Sequence, residues 1–236
     1  MRNRCRANPV PLKWIFTTCH FDVLRSEALC SDHRWRNLPL MFPPTTAVLV
    51  ITSCLLAGAS IVFYTVKNGI SPMPTSAKVR RRLLSIIWEL RGKTEWCSVG
   101  NIYELGSGWG TLACAISRQV TDTTVVACEN SPLPYLFTVV RTKLGKYHNL
   151  ALKRQNFYRL TITPAELVVC YLSTEIMAEL SLKFQRELRP GTIIISHTFA
   201  LPGWQPKQII YVNDLYRTPI YVYCVPRTTL AATAQL

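Results

Sequence analysis

The sequence has few charged residues and is especially poor in acidic ones. Aspartate and glutamate number 13 against 27 lysines and arginines, and charged residues make up 17% of the 236 positions, whereas hydrophobic residues make up 49%. This balance excludes an intrinsically disordered chain. Ten glycines and fifteen prolines are too few for a collagen-like or low-complexity protein. The slightly positive mean hydropathy indicates that some apolar surface contacts lipid.

The nine cysteines lack the Cys-x-x-Cys spacing of a zinc or redox site, so we predict no metal centre. Cys114, Cys128 and Cys170 lie within apolar runs, where a free thiol packs as a small hydrophobic side chain. We therefore expect reduced thiols in a domain that faces the cytosol.

The formal net charge of +14 suits nucleic acid, anionic lipid or an acidic protein partner. The sequence has no zinc-finger spacing, no RRM-like aromatic motif and no Arg/Gly repeat, and these absences disfavour nucleic acid. A membrane surface is the better expectation, since the basic run Arg80–Arg82 would hold a nearby domain against anionic headgroups.

A long apolar segment predicts one transmembrane anchor. No charged residue occurs from Asn37 to Val66, and the helix Thr46–Val66 would span roughly 30 Å, enough to cross a bilayer. Lys67 follows directly, so the positive-inside bias favours a cytoplasmic location for the C-terminal part. We divide the chain into an irregular basic segment (1–45), the anchor (46–66) and a globular domain (67–236).

Two other interpretations of the N-terminal part remain open. Ala57-Gly58-Ala59 has the small-x-small pattern of a signal-peptide cleavage site, although the apolar run continues beyond it through Phe63. Translation could also begin at Met41, which would remove most of the basic segment.

Beyond residue 71, helical and strand patterns alternate. Ser76–Arg91 places apolar residues on one helical face with Ser76 as the N-cap; that face consists of Val79, Leu83, Ile86, Ile87 and Leu90. Strands are predicted at 101–105, 124–128, 150–154, 167–172, 192–196, 208–212 and 219–225, and helices at 110–119, 134–144 and 175–188. Alternating strands and helices imply a largely parallel sheet. We predict an α/β Rossmann-like sandwich closed by a C-terminal hairpin.

The richest motif is the loop after the first predicted strand. Gly106, Gly108 and Gly110 stand at alternate positions between that strand and a helix, where glycine lets the backbone approach a ligand closely and the helix directs its N-terminal amides at it. Glu104 precedes the loop, and Glu129 ends the second strand. An acidic side chain in that position can accept hydrogen bonds from ribose hydroxyls.

The spacing of this loop separates two ligand classes. The dinucleotide fingerprint G-x-G-x-x-G requires glycine at position 111, where the sequence has Thr111. A nicotinamide-dependent oxidoreductase is therefore the weaker alternative, and the sequence also lacks a Tyr-x-x-x-Lys pair.

The run Glu104-Leu-Gly-Ser-Gly-Trp-Gly110, followed by Glu129, resembles motif I and its acidic follower in class I S-adenosylmethionine (SAM)-dependent methyltransferases. The resemblance covers about residues 70–225 and is greatest to small membrane-anchored protein-lysine methyltransferases and related bacterial enzymes. It implies a seven-stranded sheet with an antiparallel hairpin at its end. It also implies SAM as the cofactor and in-line methyl transfer to a nucleophile, with a protein lysine as one acceptor.

The resemblance also implies where SAM would bind. Glu104 would contact its ammonium group and Glu129 its ribose hydroxyls, while Asn156 and Phe157 would lie against adenine. The other residues expected to bind the cofactor are Gly106, Ser107, Gly108, Gly110 and Asn130.

Tyr171 is the catalytic candidate, because a tyrosine at the end of the fourth strand could orient the acceptor and stabilise developing charge. Pro74-Thr75 and Phe199–Trp204 are expected to form the lip on the acceptor side, and His148 and His197 are given no role. Methylation of a small molecule or lipid, and a tethered module without catalytic activity, remain alternatives.

Overall fold

The computed structural model describes residues 44–69, 73–92 and 100–226. The irregular basic segment expected at 1–45 therefore lies outside the described residues, apart from its last two positions. The chain divides into the units Met1–Ala47 and Val48–Leu236, and the second contains the sheet and every site discussed below.

The predicted apolar helix is present as α1, Pro44–Asn68. At 25 residues it is about 37 Å long. An 18-residue window within its segment Thr45–Asn68 has a mean hydropathy of 2.2, and none of that window is buried by the rest of the protein. By length and composition alone, this helix could cross a membrane.

The remaining elements alternate as the sequence predicts. The helices are α2 (Ala77–Arg91), α3 (Thr111–Gln119), α4 (Pro132–Gly145) and α5 (Thr174–Glu187). The strands are β1 (Asn101–Leu105), β2 (Val125–Cys128), β3 (Leu150–Lys153), β4 (Ala165–Cys170), β5 (Ile193–His197), β6 (Gln208–Tyr211) and β7 (Pro219–Cys224). A short 3₁₀ turn, Phe157–Arg159, follows β3.

The seven strands form one sheet in the order β3-β2-β1-β4-β5-β7-β6. The first five are parallel to one another, and β7 is antiparallel to both of its neighbours, β5 and β6. This confirms the predicted sandwich with its closing hairpin. From β1 the chain proceeds to β2 on one side, while β4 pairs with β1 on the other side. Ligands bind at such a reversal of strand order in open α/β sheets.

Apolar side chains cover both faces of the sheet. On one face α2 and α3 pack against the strands, and on the other face α5 does so. The predicted apolar face of α2 is confirmed: Val79, Leu83, Ile86 and Ile87 are buried. Ser76 caps this helix, accepting a hydrogen bond from the Val79 amide at 3.3 Å, as its hydroxyl was expected to do.

Two elements have boundaries displaced by two residues, and several others are displaced by one. The fourth strand ends at Cys170 rather than at position 172, so Tyr171 and Leu172 lie in the loop beyond it. Helix α4 begins at Pro132 rather than at position 134, because proline in the first turn has no amide that the helix would need.

Helix α5 offers a matched test of the core. Leu180 is fully buried and Leu182 is 58% exposed. We expect Leu180→Ala to lower the free energy of unfolding by about 2–5 kcal/mol and Leu182→Ala to change it by about 0.5 kcal/mol or less. Denaturant unfolding of the full chain measures both. Equal effects would contradict the assignment of this helix face to the core.

Candidate active site

A cavity of about 430 Å³ opens at the carboxyl ends of β1, β2 and β4. Its size is within the range of small-molecule sites. Nine of the ten predicted site residues line it: Glu104, Gly106, Ser107, Gly108, Glu129, Asn130, Asn156, Phe157 and Tyr171. Gly110 does not line it, and its contact with the cofactor stays a prediction.

The loop between β1 and α3 uses its glycines in different ways. Gly106, Gly108 and Gly110 all have positive φ angles, from +53° to +73°, which side chains disfavour. A Cβ at Gly110 would lie 2.4 Å from Thr138 Cγ2, so this residue lets the loop pack on α4. A Cβ at Gly108 would meet no protein atom within 4 Å, so its backbone faces open space that a ligand can occupy.

Glu129 joins this loop to the end of β2. Its carboxylate accepts hydrogen bonds from the amides of Gly108 and Ser131, both at 2.7 Å. The Gly106 and Ser107 amides donate to the Cys128 carbonyl, both at 3.0 Å. Each carboxylate oxygen can accept more than one hydrogen bond, so Glu129 can also accept bonds from ligand hydroxyl groups.

Glu104 is buried at the carboxyl end of β1, and its Oε2 atom has no hydrogen-bond partner. The pKa of this carboxyl group is raised to about 8, chiefly by burial and to a smaller extent by the charge of Glu129. The Ala113 amide of α3 donates a hydrogen bond to the group and partly opposes this shift. A buried carboxyl oxygen without a partner is costly. The ammonium group of SAM would supply the missing donor and the opposite charge, so the residues present fit that cofactor.

Asn130 is bonded to the end of α1. Its amide donates to Asn68 Oδ1 at 3.0 Å, and the Asn68 amide donates to Ser131 Oγ at 3.3 Å. Asn68 stands 62 positions before Asn130, and sequence reasoning missed this contact. It joins the last turn of α1 to the rim of the cavity.

Asn156 and Phe157 lie at the turn after β3. Asn156 Oδ1 accepts a hydrogen bond from the Tyr158 amide at 2.9 Å and so caps the 3₁₀ turn. The Asn156 side chain can still contact a ligand, because its amide nitrogen can donate and Oδ1 can accept a second hydrogen bond. Phe157 is half-buried, with its ring 4.6 Å from that of Tyr158, and so offers an apolar wall suited to a planar group.

Tyr171 is half-buried and belongs to an aromatic stack. Its ring lies 4.1 Å from the His197 ring at an interplanar angle of 20°. The Phe199 ring lies 6.2 Å from the Tyr171 ring. His197 Nε2 is 3.4 Å from Thr75 Oγ1. Burial lowers the pKa of His197 to about 4, so the imidazole is neutral at physiological pH. Sequence reasoning gave His197 no role; the structure uses it to hold the ring of Tyr171.

The predicted acceptor lip is only partly at the cavity. Pro74 and Thr75 line it. Trp204 instead donates a hydrogen bond from Nε1 to Ser181 Oγ at 2.9 Å, and so packs its loop against α5. Among the described residues, no group of three or more His, Cys, Asp or Glu side chains is arranged to hold a metal ion.

The raised pKa of Glu104 makes stability depend on pH. A carboxyl group with a pKa of about 8 in the fold and about 4.3 in the unfolded chain stabilises the fold only while it is protonated, so stability falls as pH rises towards 8. Without ligand, we expect the wild type to lose about 2 kcal/mol between pH 6 and pH 8 relative to Glu104→Gln. Denaturant unfolding at several pH values measures this difference, and identical pH profiles of the two proteins would contradict it.

Substitutions at Gly108 and Gly110 test ligand binding and folding separately. We expect Gly108→Ala to cost about 1–2 kcal/mol of stability and to weaken binding of S-adenosylhomocysteine by more than about tenfold, because the methyl group enters the open space. Gly110→Ala is expected to destabilise more, because its Cβ meets Thr138. Calorimetric titration and thermal unfolding measure the two effects. Wild-type binding by Gly108→Ala would show that the cofactor does not approach this loop.

Comparisons with known proteins agree with this geometry. The family model described as the ANTKMT methyltransferase domain matches residues 104–208. A protein-lysine N-methyltransferase of Saccharolobus islandicus (strain REY15A) is 28% identical over 155 residues, which cover 65% of this chain and 92% of the relative. The adenine nucleotide translocase lysine N-methyltransferase of Mus musculus is 24% identical over 166 residues, covering 65% and 70%.

A solved structure confirms the fold. An RNA methyltransferase from Salinibacter ruber, crystallised with S-adenosyl-L-homocysteine, superposes with a TM-score of 0.55 and 22% identity. The match covers 69% of this chain and 100% of that one. Two sequence relatives, a family match that begins at Glu104 and a common sheet all lead to the same conclusion. The resemblance predicted from the glycine loop is confirmed, and the chain is a class I SAM-dependent methyltransferase.

Proposed function

We propose that this methyltransferase modifies a lysine side chain of a protein, and that α1 holds it at the membrane where that protein is found. One observation carries the proposal: the carboxyl group of Glu104, whose Oε2 atom has no partner, and the stacked ring of Tyr171 face a single cavity beside the end of α1. The names of the two sequence relatives, both lysine N-methyltransferases, support lysine as the acceptor.

On the cofactor side of the cavity, three parts of SAM contact different residues. Glu104 pairs with the ammonium group, Glu129 accepts from the ribose hydroxyls, and Asn156 and Phe157 lie against adenine. Gly108 leaves room for the backbone of the loop to approach the ligand. SAM supplies a sulfonium methyl that is already activated, so the protein must mainly align the acceptor and exclude water.

The acceptor side suits a cationic side chain that must lose a proton. Glu179 lines the cavity and is hydrogen-bonded to Tyr158, whose pKa is raised by burial and by that contact. This carboxylate at the rim would attract a lysine ammonium group. The half-buried ring of Tyr171 then provides a less polar surface, and desolvation lowers the pKa of a lysine that lies against it.

The end of α1 fixes the position of the cavity relative to a membrane. Val66, Lys67 and Asn68 line the cavity, and Asn68 is hydrogen-bonded to Asn130. If α1 spans the bilayer, the cavity lies within a few residues of the surface. Lys67 and the arginines of α2 follow the apolar segment, which supports the cytoplasmic orientation.

The first experiment is calorimetric titration of the full chain with SAM, S-adenosylhomocysteine and NAD. We expect micromolar binding of the two adenosyl ligands, loss of that binding in Glu129→Ala, and no binding of NAD. The full chain and radiolabelled SAM, added together to membranes from cells that lack the enzyme, should then label protein, and mass spectrometry should locate the methyl groups on lysine. The same membranes without the added chain are the control. Label in lipid or in a small molecule instead would overturn the lysine assignment while leaving the methyltransferase intact.

Tyr171→Phe tests the acceptor side. It keeps the ring that stacks on His197 and removes only the hydroxyl, so we expect unchanged SAM affinity and a turnover lowered by roughly five- to tenfold, the loss of one hydrogen bond. Tyr216→Phe is the matched control, because Tyr216 is 84% exposed and lies outside the cavity. Full turnover in Tyr171→Phe would show that the hydroxyl does not orient the acceptor.

A further inference from the structure

We propose that one outer surface of the domain, formed by α4 and an adjoining concavity lined by arginines, docks on an anionic lipid bilayer. This surface is separate from α1 and would give the enzyme a second contact with the membrane. The inference rests on the anchoring of α1 proposed above.

The first component is an apolar stripe along α4, consisting of Leu136, Phe137, Val140 and Leu144. All four side chains are between 50% and 80% exposed. At about 100° per residue they cover roughly 100° of the helix circumference, so they form one continuous face. Four large apolar side chains on one exposed helix face mark an interaction surface.

Basic side chains border this stripe. By the same helical geometry, Lys143 lies at one edge and Arg141 at the other. Long basic side chains beside an apolar stripe are typical of helices that lie in a membrane interface, because their stems remain in the apolar layer while their charges reach the phosphates.

The second component is the arginine concavity, defined by Arg80, Arg118 and Arg141 from three different helices. Its volume is about 560 Å³, and Leu144 of the stripe forms part of its wall, so the two components are continuous. No acidic side chain lines it among the described residues. Arg118 lies over the Tyr147 ring at 4.9 Å, which holds its guanidinium at the concavity.

Charge complementarity identifies the occupant as an anionic lipid surface. Three arginines without an acidic neighbour in the concavity attract phosphate groups, and the adjoining stripe offers the apolar contact that acyl chains need. The basic run of α2 is divided between two tasks: Arg82 pairs with Glu89 at 3.1 Å, whereas Arg80 faces the concavity.

Continuity with α1 supports the same occupant. Asn68, at the end of α1, is hydrogen-bonded to Asn130 and Ser131, and α4 begins at the next residue, Pro132. The 14 residues of α4 extend about 21 Å. The stripe therefore begins close to the point where α1 would leave the bilayer. Helix α5 differs, because its exposed face carries Glu175 and Glu179 and a single exposed leucine, Leu182.

The test places a photoreactive benzoylphenylalanine at Leu144 of the full chain, with Leu182 as the matched control position. Both are exposed leucines on helices of the same length. The proteins are reconstituted in vesicles of phosphatidylcholine with phosphatidylglycerol and a fluorescent phospholipid, and lipid crosslinks are counted after irradiation. We expect Leu144 to crosslink lipid several-fold more than Leu182, and the excess to fall in vesicles without phosphatidylglycerol.

Charge variants test the concavity. We expect Arg80→Gln with Arg118→Gln to reduce the Leu144 crosslink by about fivefold for each arginine removed. Arg186→Gln with Arg189→Gln, a matched pair at the end of α5, should leave it unchanged. Affinity for S-adenosylhomocysteine is measured on the same samples, and neither pair should change it.

The outcomes separate this surface from the proposals on which it rests. Flotation of the vesicles on a density gradient first measures whether the chain is bound to the membrane. If the chain does not float with the vesicles, both the anchor and the docking surface are wrong. If it floats and binds the cofactor product while Leu144 crosslinks no more lipid than Leu182, only the docking surface is overturned. Crosslinks from Leu144 to protein would also overturn it, because they would assign this face to a protein partner or a second copy. If the chain floats and Leu144 crosslinks lipid as expected, the docking surface is supported even when the enzyme does not modify lysine.

Discussion

The burial of Glu104 is the constraint on which the active site depends. Strand β1 lies between β2 and β4, and its carboxyl end carries a carboxyl group away from water with one oxygen unpaired. A pKa raised from 4.5 to about 8 corresponds to roughly 5 kcal/mol against the charged form. Below about pH 8 the fold avoids this cost by keeping the group protonated. A cationic ligand group would favour the charged form, so the burial of Glu104 would select for an ammonium group.

The reversal of strand order brings the other groups to the same place. Residues at the ends of β1, β2 and β4 meet at one edge because parallel strands in register end together. Glu129 then bonds the glycine loop to the segment before α4, so the carboxylate expected to hold the ribose also fixes the loop. A change at Glu129 therefore alters the shape of the site as well as its charge.

The sequence was sufficient where a signal is local. The strands and helices follow from apolar periodicity, and Glu104, the glycine loop and Glu129 lie within one strand-loop-helix-strand unit. His197 could not be found in this way, since it reaches Tyr171 only through the pairing of Cys170 with Ser196 in neighbouring strands. A histidine at the carboxyl end of a strand beside β4 was the available signal. No signal in the sequence indicates the hydrogen bond between Asn68 and Asn130, because the two residues belong to elements that are distant along the chain.

Gly110 and Asn156 show a different limit. The resemblance assigns both to the cofactor, yet Gly110 leaves room for Thr138 and the Asn156 side-chain oxygen caps a turn. A motif selects residue types that the local backbone requires, and some of them serve the fold of the loop. The residues that shape the loop differ from those that face the ligand only in where the side chain points, or, for glycine, in which side of the backbone is open. The structure is needed to see this difference.

Attachment at the rim of the cavity has consequences for the choice of acceptor. Asn68 contacts the residues directly after Glu129, so the end of α1 lies beside the cofactor site. A tethered enzyme meets acceptors in the same membrane at a high effective concentration, provided that the geometry allows both to engage. A single helix would let the domain rotate about its attachment, which lowers the fraction of time in which the cavity faces an acceptor. Contact of α4 with lipid would remove that freedom, and the gain in transfer would then come from orientation, with no additional contact to the acceptor.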